Sequence, residues 1–442
     1  MKHLLQLFRY VFFDAHYFVA ASGQLIGKAL SVGMGVLIAR SLGPEQFGQY
    51  SFYLALASMG ILFISLGLPT FATKQSAIFS KPLQPARLKG VVVWGTLWVV
   101  ALFLLLLICA SVVLALYIEH VDELLMPFVI ICIVTISKAI SNVYGGVLIG
   151  LNHPFQATLG PFIIYPSICI FFTLIYSYCV PNLNANSMLM GSGIAALFAA
   201  TSSALVLRQC LQNKVKNVQP KLEPLGWTKQ LGPFATIMIL STLNTELGGV
   251  LLGFLAPPEE LGFYKVAIQA ITVITLIFST SASVYSPKIA QLYSDNNYAD
   301  TQKVLTHSAN HAFLCSLPVV IVFYFFGSDL LAFLFGDVYT KAYAMLLILL
   351  VGQVVRICMG NVGPALHMTG HEKQSVLVLA ITVLVLFVTL VAFIPRWYGV
   401  GAAWAVTFST ITWSGGMAIV LFRKTGLVAC IKPNFLALGR RV

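Results

Sequence analysis

The sequence predicts an all-α polytopic membrane protein of about twelve transmembrane helices. Three observations lead there: an excess of apolar residues, apolar runs of membrane length, and a one-sided placement of basic residues. Of the 442 residues, 59% are hydrophobic and only 9% are charged, against roughly 25% charged in soluble domains. No water-soluble core can hide that much apolar surface, so lipid is the expected solvent for most of the chain. A hydrocarbon layer about 30 Å thick needs roughly 20 apolar helical residues. On that length the spans fall near 17–39, 51–71, 90–117, 125–149, 157–179 and 187–207. The second half has them near 231–255, 263–285, 311–327, 342–363, 374–394 and 398–422.

The formal net charge of +12 would suit a nucleic-acid partner, but its distribution excludes one. With the N-terminus taken as cytoplasmic, nineteen Lys and Arg residues fall in inward connections and termini. Outward connections hold three, Arg40, Lys341 and Arg396, beside Glu45, Glu119, Asp122, Glu123, Glu259, Glu260, Asp329 and Asp337. That bias predicts cytoplasmic N- and C-termini. The opening run MKHLLQLFRYVFFDAHYF has no small-residue cleavage site and reads as uncleaved. Eight scattered cysteines form no C-x-x-C pair, so neither metal nor disulfide chemistry is expected. The longest connections, 207–230 and 286–310, are read as cytoplasmic loops.

The chain repeats itself. GVLIARSLGPEQFGQY (35–50) and GVLLGFLAPPEELGFY (249–264) match at seven of sixteen positions without gaps, 214 residues apart. GGVLIGLNHPFQATL (145–159) and GPALHMTGHEKQSVL (363–377) match at five of fifteen, 218 apart. Six spans per copy is an even number, so both copies start on the same side of the membrane and are parallel repeats. The expected organisation is a six-helix lobe over 1–210, a cytoplasmic linker over 211–230, a second six-helix lobe over 231–425 and a basic cytoplasmic tail over 426–442.

The run IARSLGPEQFGQYSFYLALASMGILFISLGLPTFATKQSA (38–77) resembles the opening of Wzx-type O-antigen and polysaccharide flippases. Gly43, Pro44, Glu45, Phe47, Gly48 and Tyr50 carry most of the likeness, with GLNHPF (150–155) and TGHEKQ (369–374) weaker. The resemblance implies a MATE-like fold of two lobes around a central cavity. It also implies an undecaprenyl-diphosphate-linked sugar repeat unit as substrate, moved from the inner to the outer leaflet of a bacterial inner membrane. A polysaccharide polymerase and a chain-length regulator are the implied protein partners, alongside membrane lipid.

Ionisable groups at bilayer depth cost about 2.5–3.5 kcal/mol each on insertion scales and usually face a cavity or a partner. Lys28, Lys138, Glu246 and Arg356 lie deep in spans 1, 4, 7 and 10. Lys138 and Arg356 stand 218 apart, the second repeat offset. Each lies on a polar, small-residue face: Thr135, Lys138, Asn142 and Gly145 in one span, and Gln353, Arg356 and Gly360 in the other. Span 1 carries Gln24, Lys28, Ser31 and Gly35, and span 7 carries Thr242, Thr245, Glu246 and Gly249. The expected substrate-binding set is therefore Lys28, Lys138, Glu246, Arg356, Gln24, Asn142 and Gln353. Three bases against one acid suit an anionic cargo, whereas the same faces could instead serve only to pack helices.

No nucleophile–base–acid spacing and no phosphate-binding glycine loop occurs, so neither a catalytic residue nor a cofactor is expected. Coupling to H⁺ or Na⁺ stays open. A cation-coupled multidrug exporter of the same fold is the alternative, and it calls for intramembrane carboxylates, of which only Glu246 is found. A membrane polymerase or glycosyltransferase is a further alternative, disfavoured because the external acids lie in short, separate turns.

Overall fold

The computed structural model describes residues 15–80, 84–117, 121–179, 183–212 and 218–431. These residues form helices joined by short turns, with no strand among them. The first helices are α1 (Ala15–Ser65), α2 (Leu68–Ser80), α3 (Pro85–Tyr117) and α4 (Val121–Gly150). Next come the short α5 (Pro154–Thr158), a π-helical turn (Leu159–Ile164), α6 (Tyr165–Cys179) and α7 (Ala185–Gln212). The rest are α8 (Pro224–Leu255), α9 (Pro258–Ser294), α10 (Tyr298–Phe335), a 3₁₀ turn (Asp337–Ala342), α11 (Tyr343–Met359), α12 (Val362–Met368) and α13 (Glu372–Thr425).

Ten stretches among the described residues are long and apolar enough to cross a membrane. Two are double length. At 1.5 Å per residue, the 51 residues of α1 and the 54 of α13 would each run to roughly 80 Å, well beyond a hydrocarbon core. Both are interrupted by a non-helical residue, Gly43 (φ 73°) in α1 and Tyr398 (φ 46°) in α13. Each therefore holds two of the expected spans. One expectation fails: 286–310 is not a loop. Helices α9 and α10 run through it and meet in a turn at Asp295–Asn297. The polar residues there belong to helix ends, a composition that hydropathy reads as loop.

Both repeat matches are structural. Pro44 follows the Gly43 break and its mate Pro258 begins α9; proline, with φ preset and no N–H to lose, fits the first turn of a helix. Two residues after each proline, a side chain reaches across to the start of another helix. Gln46 Oε1 accepts from the Ala185 amide at 2.9 Å, and Glu260 Oε2 accepts from the Gly399 amide at 3.1 Å. Donor and acceptor are both displaced by 214. These contacts serve amide groups that have no intrahelical acceptor. The second match is as close. The His153 amide bonds the Leu148 carbonyl at 2.9 Å, and the His371 amide bonds the Leu366 carbonyl at 3.1 Å. Asn152 (φ 66°) and Gly370 (φ 79°), themselves mates, take the left-handed turn.

The described residues fall into two compact units, one ending at Glu246 and the other starting at Leu247. The sequence alone places span 7 in the second lobe, yet most of α8 packs into the first unit. Trp227 and Leu231 are buried with Phe71, Leu88 and Trp94. Trp227 meets Trp94 edge-on at 5.5 Å, Phe234 meets Phe71 at 6.2 Å, and Gln75 Nε2 donates to Gln230 Oε1 at 2.8 Å. The stretch before α8 is pinned too: the Lys221 amide bonds the Ala86 carbonyl at 2.9 Å, and Arg87 pairs with Glu223 at 3.0 Å. Elsewhere in this unit small residues let helices approach, as where Ser141 and Ser203 share a 2.8 Å hydrogen bond between α4 and α7.

The second unit centres on Ile289, Leu305, Val362, Leu366, Met417 and Leu421. Gly426 (φ 71°) ends α13, and the chain turns back as a strap over 427–431. The Gln302 side-chain amide holds both backbone groups of Val428, its Nε2 donating to the Val428 carbonyl at 2.6 Å and its Oε1 accepting from the Val428 N–H at 2.8 Å. The Ile431 amide bonds the Cys358 carbonyl at 3.1 Å. The Ala429 carbonyl occupies the space where a Cβ on Gly360 would lie. In both units large apolar side chains also point outward, among them Leu104, Leu105, Ile108, Phe171, Phe325 and Leu384. Such faces suit lipid rather than water.

Candidate functional site

Each unit carries a base inside its helices, held against aromatic rings. In the first unit, the π turn delivers Tyr165 as the opening residue of α6, and such turns recur at functional positions. The Lys138 ammonium, partly buried on α4, sits 4.0 Å from the centroid of the Tyr165 ring. Tyr50 is buried nearby with its hydroxyl 2.8 Å from Ser192 Oγ. Glu246 is close enough for its charge to bear on Lys138. Asn142 follows Lys138 by one turn of α4 and is partly buried.

In the second unit the base is Arg356, in the last turn of α11, where the negative end of the helix dipole favours a cation. Its guanidinium carbon lies 5.3 Å from the ring centroids of both Phe278 on α9 and Trp413 on α13. Its Nε is buried without a hydrogen-bond partner, as is the Oε1 of Gln353 one turn earlier. Arg356 has no ion pair among the described residues. The helix ends just beyond it at Gly360 (φ 71°), where Asn361 donates to Ser308 Oγ at 2.7 Å and Ser281 Oγ at 3.0 Å.

The structure thus places Lys138 on α4 in one unit, within reach of the Glu246 charge, and brings Gln353 and Arg356 together on α11 in the other. Lys28 is partly buried on α1, where Ser31 bonds back to the Gly27 carbonyl at 2.9 Å. The Gln24 side chain lies outside the described residues. Sequence reasoning missed Tyr165, Phe278 and Trp413. Aromatic residues make up 12% of the chain, and nothing in the local pattern separates these three from ring residues that face lipid.

Residues 15–293 match the family described as "Polysaccharide biosynthesis protein". The chain belongs to this family. A second family, MatE, matches residues 233–393. The capsular polysaccharide biosynthesis protein CapF of Staphylococcus aureus is 23% identical over 392 residues, 85% of this chain and 90% of CapF. The probable low-salt glycan biosynthesis flippase Agl15 of Haloferax volcanii is 26% identical over 146 residues, 32% of this chain and 30% of that protein. Among solved structures, the lipid II flippase MurJ in an inward closed conformation superposes with a TM-score of 0.71 at 14% identity, covering 91% of this chain and 87% of that one. An inward-facing multidrug resistance MATE family transporter gives 0.66 at 16% identity, covering 92% and 99%. This family member therefore has the MATE-like all-α fold and is a multi-pass membrane protein.

Proposed function

We propose that the chain is a flippase for a lipid-linked oligosaccharide, carrying an undecaprenyl-diphosphate-linked repeat unit from the inner to the outer leaflet of a bacterial inner membrane by alternating access. The observation that carries this reading is the state of the two repeat-related bases. Lys138 and Arg356 rest on aromatic rings, and Arg356 has no carboxylate partner among the described residues, so its charge is available to an anionic cargo. Membership of the polysaccharide biosynthesis family and the likeness to CapF and MurJ support the same reading. Arg356 contacts the diphosphate with its planar fork, and Lys28 and Lys138 supply positive field as point charges. Gln24, Asn142, Gln353 and Glu246 complete the binding set, and Glu246 is the carboxylate on which H⁺ or Na⁺ coupling would act. The protein acts as a transporter rather than an enzyme. It works beside a polysaccharide polymerase and a chain-length regulator, with both termini in the cytoplasm.

The MatE match over 233–393 favours a second reading, a cation-coupled drug exporter. The excess of bases over acids at depth argues against a cationic cargo. One experiment separates the two. Variants are tested for restoring surface polysaccharide to a flippase-null strain, with membrane abundance measured in parallel. Arg356→Gln should lose most activity and Arg356→Lys part of it. Removing one charge-assisted contact typically costs about 1.5–3 kcal/mol, roughly ten- to hundredfold in binding. Failure of the unaltered chain to restore polysaccharide, with drug resistance conferred instead, would overturn the flippase reading.

A further inference from the structure

We infer that Phe278 and Trp413 are positioning residues that hold the Arg356 guanidinium as a stacked fork for an anionic phosphate ligand. The inference rests on the flippase reading in one respect only, the choice of a diphosphate as the anion. A guanidinium inside a helix bundle usually meets a carboxylate. This one meets two rings from two other helices, each 5.3 Å away. An aromatic face stabilises a cation through its quadrupole and leaves the donors of the fork unused. That is the condition found: Nε is buried with no acceptor, and the guanidinium makes no hydrogen bond to another described residue.

The Trp413 ring is itself held in place. Atoms of the Trp413 ring approach Gly363 so closely that a Cβ there would come within 2.9 Å of one of them. Gly363 is the mate of Gly145, so a small residue recurs at this position in both copies. Trp413 is thereby wedged between the backbone of α12 and the guanidinium. The other copy applies the same device to a different base, with the Lys138 ammonium 4.0 Å from the Tyr165 ring. Two repeat-related bases share an aromatic mode of support although the rings come from different helices. Common placement on a polar face would not by itself produce that.

The test uses the full-length chain labelled with 5-fluorotryptophan in detergent, with inorganic pyrophosphate as probe. The Trp413 fluorine resonance is assigned by its loss in Trp413→Phe. Pyrophosphate should move that resonance saturably in the unaltered chain and leave it in place in Arg356→Gln. Phe278→Leu should weaken the titration about tenfold, whereas Phe278→Tyr, which keeps a ring, should stay within about twofold. In the complementation assay at matched abundance, Trp413→Leu should fail and Trp413→Phe should succeed. Absence of a saturable shift would overturn the anion seat, and equal loss in Trp413→Phe and Trp413→Leu would overturn stacking as the cause. Normal activity of Trp413→Leu and Phe278→Leu beside a dead Arg356→Gln would remove the positioning role and leave the flippase reading standing. Full activity of Arg356→Gln in a chain that restores polysaccharide would remove the role of Arg356 in cargo binding, and the positioning inference with it.

Discussion

The helices around Lys138 and Arg356 descend from the same repeat, yet they are built differently. Helix α4 runs unbroken through Asn142 and Val143, whereas at the equivalent Gly360 and Asn361 the second copy stops and restarts as α12. Lys138 has one ring and feels the charge of Glu246. Arg356 has two rings, a helix terminus and no ion pair among the described residues. The comparison teaches that related helices can hold a base in different ways, one against a single ring within an unbroken helix and the other between two rings at a helix break.

The sharpest way to break this comparison is to remove each base and ask what is lost. Arg356→Gln should reduce transport by roughly ten- to hundredfold at normal abundance. Lys138→Met should act mainly on stability, because it removes the cation seated on the Tyr165 ring, at a cost of about 1 kcal/mol. Thermal unfolding of the detergent-solubilised chain reads that loss. A Lys138→Met variant of full stability would show that the ring contact holds nothing in place.

The helix break gives the next contrast. Gly360→Ala places a Cβ at positive φ and against the Ala429 carbonyl, so about 1–3 kcal/mol should be lost. Asn142→Ala, at the equivalent point of the unbroken helix, should cost less than about 0.5 kcal/mol. The repeated cross-helix contacts sharpen the comparison from the side of likeness. Gln46→Ala and Glu260→Ala should each destabilise by about 1 kcal/mol, the charged Glu260 somewhat more, because each frees one amide at a helix start. Among the hydrogen-bond removals the smallest effect is expected at Ser141→Ala, about 0.6 kcal/mol, typical of a hydrogen bond between membrane helices. Orientation is a separate matter: reporter fusions after Lys221 and after Asp337 should report inside and outside respectively, and two fusions on one side would refute the charge-derived topology.

Much of the fold is legible in the sequence. Apolar length locates the helices, and the Gly43–Pro44 and Pro257–Pro258 pairs mark two of the breaks. Leu148 and His153 of the second repeat match, and their mates Leu366 and His371, reappear as paired turn hydrogen bonds. The allegiance of α8 is not legible, because nothing local marks Trp227, Leu231 and Phe234 as partners of Trp94 and Phe71 in the first unit. The 286–310 stretch misleads for a related reason: polar helical ends that leave the hydrocarbon have the composition of a loop. At the site, charge is visible in sequence because it is rare at depth. The rings that hold the charge are invisible because apolar aromatics are common there.

The strap over 427–431 bears on how the chain is made. The Ala429 carbonyl beside Gly360 is encoded more than sixty residues after that glycine, and Val428 more than a hundred after the Gln302 that grips it. Until 427–431 are synthesised, Gln302 and the Cys358 carbonyl lack these partners. The second unit therefore completes its packing late in synthesis, with its last described residues serving as the closure.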